Sequence, residues 1–298
     1  MPSAPDAADR GPSPSLREVS RRPGPVRRMV LVWQYRELLG NLARKELKVK
    51  YKDSVLGFVW SLLNPLLYLV VFSLVFSEVL RVQVPRFGIF LLSGLLAWNL
   101  LSAGVSGGTA SIVANGSLVQ KVWFPREVLP LAAIGAAIVH FVLQLAVLAV
   151  ALVVFRHAPD WSSMVAFVPA MIALLLLTAA LGLLLAAVNV GLRDTQHLLE
   201  LGLLAWFWLS AIVYPYSLVA DRLGDREWLM LLNPMIPIVT TFQRILYNPD
   251  DSANVLPTDV GVEWYLRNLA VVIVLSLVLL VVALRVFGRL EDDFAEEI

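Results

Sequence analysis

The chain has 298 residues, of which 58% are hydrophobic and 16% charged, with a mean hydropathy of +0.74. Those values exclude an ordinary soluble domain, in which about a quarter of the residues are charged, and place most of the chain in lipid. It contains no cysteine, which excludes disulfides, thiolate metal sites and cysteine nucleophiles. The net charge of +1 says little by itself, because a membrane divides the charges between two compartments; no nucleic-acid partner is expected.

Residues 1–29 carry Pro, Ser, Ala and Arg without an apolar run long enough for a secretory signal, and are expected to form a disordered cytosolic tail. From Val30 to Lys52 the apolar residues Leu31, Tyr35, Leu38, Leu42 and Val49 recur at three- and four-residue steps, which predicts an amphipathic helix lying in the headgroup plane. Val55 to Val79 then forms an apolar run whose one charged residue is Glu78. About 20 apolar residues cross the hydrocarbon layer, so this is a spanning segment. Arg44, Lys45, Lys48, Lys50 and Lys52 crowd its near side and put that side in the cytoplasm.

Residues 53–298 read as one all-α transmembrane domain with spans at about 55–79, 87–110, 128–155, 164–191, 198–220 and 266–287. Six crossings return the C-terminus to the cytoplasm. In this arrangement 17 of the 24 lysines and arginines fall inside and seven outside, as the positive-inside rule requires. Two connections are more than turns. Ser111 to Pro130 carries Leu118, Val119, Val122 and Trp123 with Lys121, then stops at Phe124-Pro125, which predicts a short cytoplasmic helix. Asp221 to Tyr265 is apolar enough for lipid depth but is cut at Asn233-Pro234 and Pro237. Broken backbone at that depth must be buried or line a cavity, which predicts a pair of short re-entrant helices on the external side.

Catalytic chemistry is sparse. No phosphate-binding GxxxxGK[ST] loop occurs, and Gly107-Gly108-Thr109 lacks the lysine such a loop needs. There is no HExxH and there are three histidines. His140, inside the third span with Gln144 one turn away, reads as a neutral imidazole hydrogen-bonded between helices, with a proton relay as the alternative. Asp292-Asp293 reads as a solvated charge run. Trp60, Trp98, Trp206, Trp208, Tyr214 and Tyr216 are many large aromatics for spans. Trp98 and Trp206 to Trp208 lie too deep for an interfacial belt, which leaves contact with a sugar or packing.

The runs KYKDSVLGFVWSLLNPLL, KVWFPREVLPL, NVGLRDTQHLL and the external YP and LNPM resemble the permease subunit of ABC-2-type exporters, in the branch that exports lipid-linked O-antigen, teichoic acid, capsule and related cell-wall glycans. The resemblance runs from Trp33 to the C-terminus. It implies a non-catalytic subunit of the bacterial inner membrane that works as a homodimer with two copies of an ATP-binding subunit, which would hold ATP and Mg, this chain binding no cofactor. It also implies that a coupling helix carrying Asn115, Leu118, Lys121, Val122, Trp123, Phe124 and Arg126, with Arg193 and Asp194 of the next cytoplasmic loop, meets the ATPase. Asn233, Pro234 and Pro237 would form the external gate. If the aromatics contact sugar rather than pack, they line the channel. Two other classes are a secondary transporter, which needs midplane charges and a repeat, and a membrane-embedded glycan-processing enzyme, which needs a clustered acid or histidine site.

Overall fold

The computed structural model describes residues 24–52, 84–248, 255–257 and 260–297, with 63, 66–68, 70–72, 74 and 75 between the first two stretches. The first expected span and Trp60 therefore lie largely outside the described residues. Those residues are helical: α1 Pro25–Gln34, α2 Arg36–Tyr51, α3 Phe87–Ala114, α4 Gly116–Lys121, α5 Val128–Val154, α6 Phe167–Gly191, α7 Thr195–Trp208, α8 Tyr216–Leu223, α9 Met235–Leu246, α10 Val262–Leu290 and the single turn α11 Phe294–Glu297. Helices α3, α5, α6 with its preceding turn, and α10 are long and apolar enough to cross a membrane.

The N-terminal region differs from the expectation in two ways. Helix begins at Pro25, at the first helical position where its missing N–H costs nothing, so the tail read as 1–29 is already helical over its last residues. The amphipathic stretch is also two helices, broken at Tyr35.

Helix α3 is the most enclosed of the spans. It contacts α5 and α6, and α6 in turn runs along α10. The α3–α6 crossing is set by glycine. A Cβ on Gly108 would stand 3.2 Å from the Gly182 backbone, and one on Gly104 would stand 2.6 Å from Thr178. The Gly107-Gly108-Thr109 stretch is thus a small-residue crossing point of the kind that lets membrane helices approach closely. Helices α5 and α10 turn Val142, Val150 and Val153, and Val271, Val274 and Val278, outward. In lipid such faces carry no hydrophobic penalty.

The span expected over 198–220 is not one helix. Helix α7 ends at Trp208 after 14 residues, about 21 Å of helix and short of the ~30 Å hydrocarbon layer. Turn residues follow, with Ala211 at φ 50°. Pro215 disfavours helix at the residue before it. The α8 segment with its 3-10 extension, Tyr216–Leu232, then meets α9 at 105°, at the Asn233-Pro234 break expected from the sequence.

Helix α1 meets the residues that follow α10. Arg28 of α1 donates to Glu127, which precedes α5, and to Glu291 after α10 at 2.7 Å. Residues 28 and 291 therefore sit at the same end of the bundle.

Candidate functional site

At the end where α1 meets the residues after α10, the connection from α3 to α5 divides into an inward and an outward half. Asn115 is buried, accepts from Lys45 Nζ of α2 at 2.8 Å and donates to the Ser111 carbonyl at 2.8 Å. Val119 and Phe124 face inward, and Leu118 is half-buried against the same cluster. The outward residues are Lys121, Val122 and Trp123, the last 79% exposed. The following loop likewise exposes Leu192, Arg193 and Asp194, beside the N-terminus of α7. Of the nine residues expected at a cytoplasmic contact, five thus face out, while Asn115 and Phe124 bind the loop to the spans.

Arg126 does neither. Its guanidinium donates to the Glu291 carbonyl and lies 5.7 Å over the Phe294 ring. Phe294 is buried and stands edge-on to Phe287 at 5.4 Å. The C-terminal segment is therefore docked through residues 291 and 294, while Asp292, half of the pair expected to be a solvated charge run, is exposed. The segment touches α4 and α6, and a Cβ on Gly191 would come within 3.0 Å of the Glu297 carboxylate. Beneath it, burial pushes the Glu127 carboxyl up, with Glu291 adding to this and Arg28 opposing it. Burial works to lower Arg28, but its bonds to both carboxylates hold the guanidinium above its ordinary value.

Where α3, α7 and the start of α9 meet, the aromatics come together as two unlike groups. Trp98 stands edge-on to Trp206 with centroids 6.1 Å apart and lies 5.6 Å from Phe207. The Trp206 indole N–H donates to Asn233 Oδ1 at 2.8 Å, and Asn233 Nδ2 donates to the Leu209 carbonyl at 2.9 Å. Asn233 Oδ1 also accepts the Met235 amide at 3.0 Å, so one side chain joins the end of α7 to the start of α9. Pro234 caps α9, and Pro237 is buried in its first turn. Trp208, by contrast, is 57% exposed. It forms one wall of an apolar groove of about 380 Å³, with Phe72, Trp98, Asn99 and Phe207 among the others. Asn99 donates to Gln144 at 3.0 Å across the α3–α5 contact. Tyr214 donates to the Trp208 carbonyl at 2.7 Å, and Tyr216 donates to Glu227 at 2.7 Å, well away from the groove. Among the described residues no three His, Asp or Glu side chains are grouped to hold a metal.

Residues 37–247 match the ABC-2 type transporter family. The chain is 36% identical over 270 residues to the O-antigen export system permease protein RfbA of Myxococcus xanthus, covering 90% of this chain and 97% of that protein. It is 27% identical over 260 residues to the protein of that name from Klebsiella pneumoniae, covering 87% of this chain and 94% of the other. With the polysialic acid transport protein KpsM of Escherichia coli it shares 23% over 202 residues, 65% of this chain and 75% of the other. The chain belongs to the ABC-2 type transporter family. As an ABC-2 protein it is a multi-pass membrane transport subunit rather than an enzyme, which removes the glycan-processing alternative.

Sequence reasoning missed the residues that hold this ABC-2 protein's water-side end together: Arg28, Glu127, Glu291 and Phe294. Glu127 carried a weak signal, as a lone acid beside a proline-stopped helix. Its partners lie 99 and more residues away in sequence, where no spacing rule reaches.

Proposed function

We propose that the chain is the channel-forming subunit of an ATP-driven exporter that moves a lipid-linked polysaccharide out of the cytoplasm across the bacterial inner membrane. The observation that carries this is the likeness to O-antigen permeases along 90% of the chain. In this reading two copies form the channel, each with six crossings and both termini in the cytoplasm, and two copies of a separate subunit bind ATP and Mg. The outward residues Lys121, Val122, Trp123, Arg193 and Asp194 meet that subunit, while Asn115, Phe124 and Arg126 transmit its motion to α3 and α5. A largely exposed tryptophan on a water-side loop suits such a role, since buried aromatic anchors dominate protein interfaces. At the external end the bend at Asn233, Pro234 and Pro237 opens as a gate made of re-entrant helices. Trp98 and Trp208 flank the path, where a flat ring can hold a sliding sugar without reading its identity.

Two measurements test this. In cells lacking the chain, lipid-linked glycan should accumulate inside and disappear from the surface; unchanged surface glycan would overturn the reading. In the reconstituted complex, Lys121→Glu with Trp123→Ala should reduce glycan-stimulated ATP hydrolysis severalfold with insertion intact. Full stimulation in that variant would take the loop out of the mechanism.

A further inference from the structure

At the Val262 end of α10, a cavity of about 490 Å³ opens between α8, its 3-10 extension and the start of α10. Its walls include Tyr216, Ser217, Asp221, Glu227, Pro257 and Trp264. Helix α10 is 29 residues long, so the cavity lies about 43 Å along the helix from the end that meets the basic N-terminal helices. By the distribution of basic residues that is the external face. The volume falls within the range of small-molecule sites.

The polar groups on these walls are unevenly used. Tyr216 is buried and its hydroxyl donates to Glu227, while Trp264 stands edge-on to Tyr216 at 6.3 Å. The Asp221 carboxylate and the Trp264 indole N–H make no hydrogen bond among the described residues. The cavity therefore offers an aromatic ring held in place by a second ring, a spare acceptor and a spare donor. That combination complements a pyranose, whose C–H face is apolar and whose hydroxyls both donate and accept. Two carboxylates, Asp221 and Glu227, line it with no lysine or arginine among the described lining residues, which disfavours a phosphate or an acidic sugar. The residues that line the apolar groove are different, so the two sites are separate.

We propose that this cavity is a glycan-binding subsite at the external mouth that holds neutral or amino-bearing sugars of the emerging chain, with Trp264 as the stacking platform and Asp221 as the hydroxyl acceptor. It rests on the exporter reading. A subsite beyond the gate gives the leading sugars a place to bind outside, which opposes backsliding between strokes of the ATPase.

The test uses the full complex in lipid nanodiscs and saturation-transfer NMR, with short oligosaccharides cut from the producing cell's own surface glycan as the probe. Transfer should be seen with the wild type, fall roughly three- to tenfold with Trp264→Leu and persist with Trp264→Phe, in line with the strength of one aromatic contact. Asp221→Lys, on an exposed helix face where folding is not at stake, should weaken it as well. An oligosialic acid should give little transfer. Absence of transfer to the wild type, or transfer that Trp264→Leu and Asp221→Lys both leave unchanged, overturns the subsite. Equal transfer to oligosialic acid overturns its charge selectivity. Surface glycan in cells lacking the chain is measured alongside. Its loss on deletion, combined with failed NMR, overturns the subsite alone, whereas its persistence overturns the exporter reading beneath it.

Discussion

The charged groups at the two ends of the bundle act as separate fasteners, and each gives a distinct expectation. Arg28 faces Glu127 with side chains 8% and 2% exposed. Removing one partner of a buried pair leaves an uncompensated charge and costs about 3–5 kcal/mol, whereas removing both is far milder. Arg28→Met should therefore lower the melting temperature of the purified protein sharply, and Arg28→Met with Glu127→Gln should recover most of the loss; equal melting of the single and double variants would mean that the pair is not coupled. At the other end Asp160, in the loop before α6, takes bonds from the Ser162 and Ser163 hydroxyls and from Arg244 at 3.1 Å. Burial works to raise its carboxyl, but these partners outweigh it and hold the group below its ordinary value of 3.8. A depressed carboxylate contributes stability that is present above its ordinary value and lost as pH falls through the folded one. Wild-type thermal stability should thus drop below about pH 4. Asp160→Asn should start lower at neutral pH and show a flatter acid limb, and parallel limbs would exclude Asp160 as the source. Neither fastener was legible in the sequence: Arg28 lay in a stretch with the composition of a tail, and Asp160 in a short loop without periodicity.

At the scale of the element, the spans were legible because bilayer thickness sets their length. Helix α3 runs only four residues past its expected end and α5 ends one residue short. The early stop of α7 was not legible, because the apolar run continues past Trp208 while the helix does not. The stop depends on Asn233, 25 residues on, which takes up the Leu209 carbonyl, and a partner at that distance leaves no mark on local hydropathy. The same joint separates two tryptophans that composition treats alike. Trp206→Phe removes the hydrogen bond to Asn233 but keeps a ring against Trp98, so it should cost about 1 kcal/mol. Trp206→Leu should cost more, since the edge-on contact goes too. Trp208→Leu removes an exposed ring and should leave the melting temperature within about 1 °C of wild type, a surface change worth little stability, while lowering surface glycan per folded complex. If Trp208→Leu destabilises as much as Trp206→Leu, the exposed ring is a packing residue and the groove has no claim on the substrate.

For the whole molecule, the consequential feature is that one end gathers nearly everything that could receive a push. Helix α1, the α3–α5 connection, the end of α6 and the residues after α10 converge there, and the C-terminal segment touches three of these elements. Glu291 accepts from Arg28 through its carboxylate and from Arg126 through its carbonyl, while Phe294 fills the space beneath Arg126. On the proposed reading, a displacement of the loop carrying Lys121 and Trp123 should be shared with α10 through this segment rather than absorbed by a hinge at Phe124-Pro125. Loss of residues 291–298 should leave the transmembrane helices inserted, because none of the spans needs them for length. It should also free Arg126 and leave Arg28 and Glu127 as an isolated pair. The expected outcome is a complex that assembles and hydrolyses ATP but exports several times less glycan per ATP than wild type. Phe294→Ala, which opens a cavity without removing any charge, should show the same ratio in weaker form. The deciding quantity is surface glycan divided by ATP consumed in the same vesicles, so that a simple loss of protein, which lowers both together, is not mistaken for uncoupling. An unchanged ratio in the truncated chain would assign transmission to the α3–α5 connection alone.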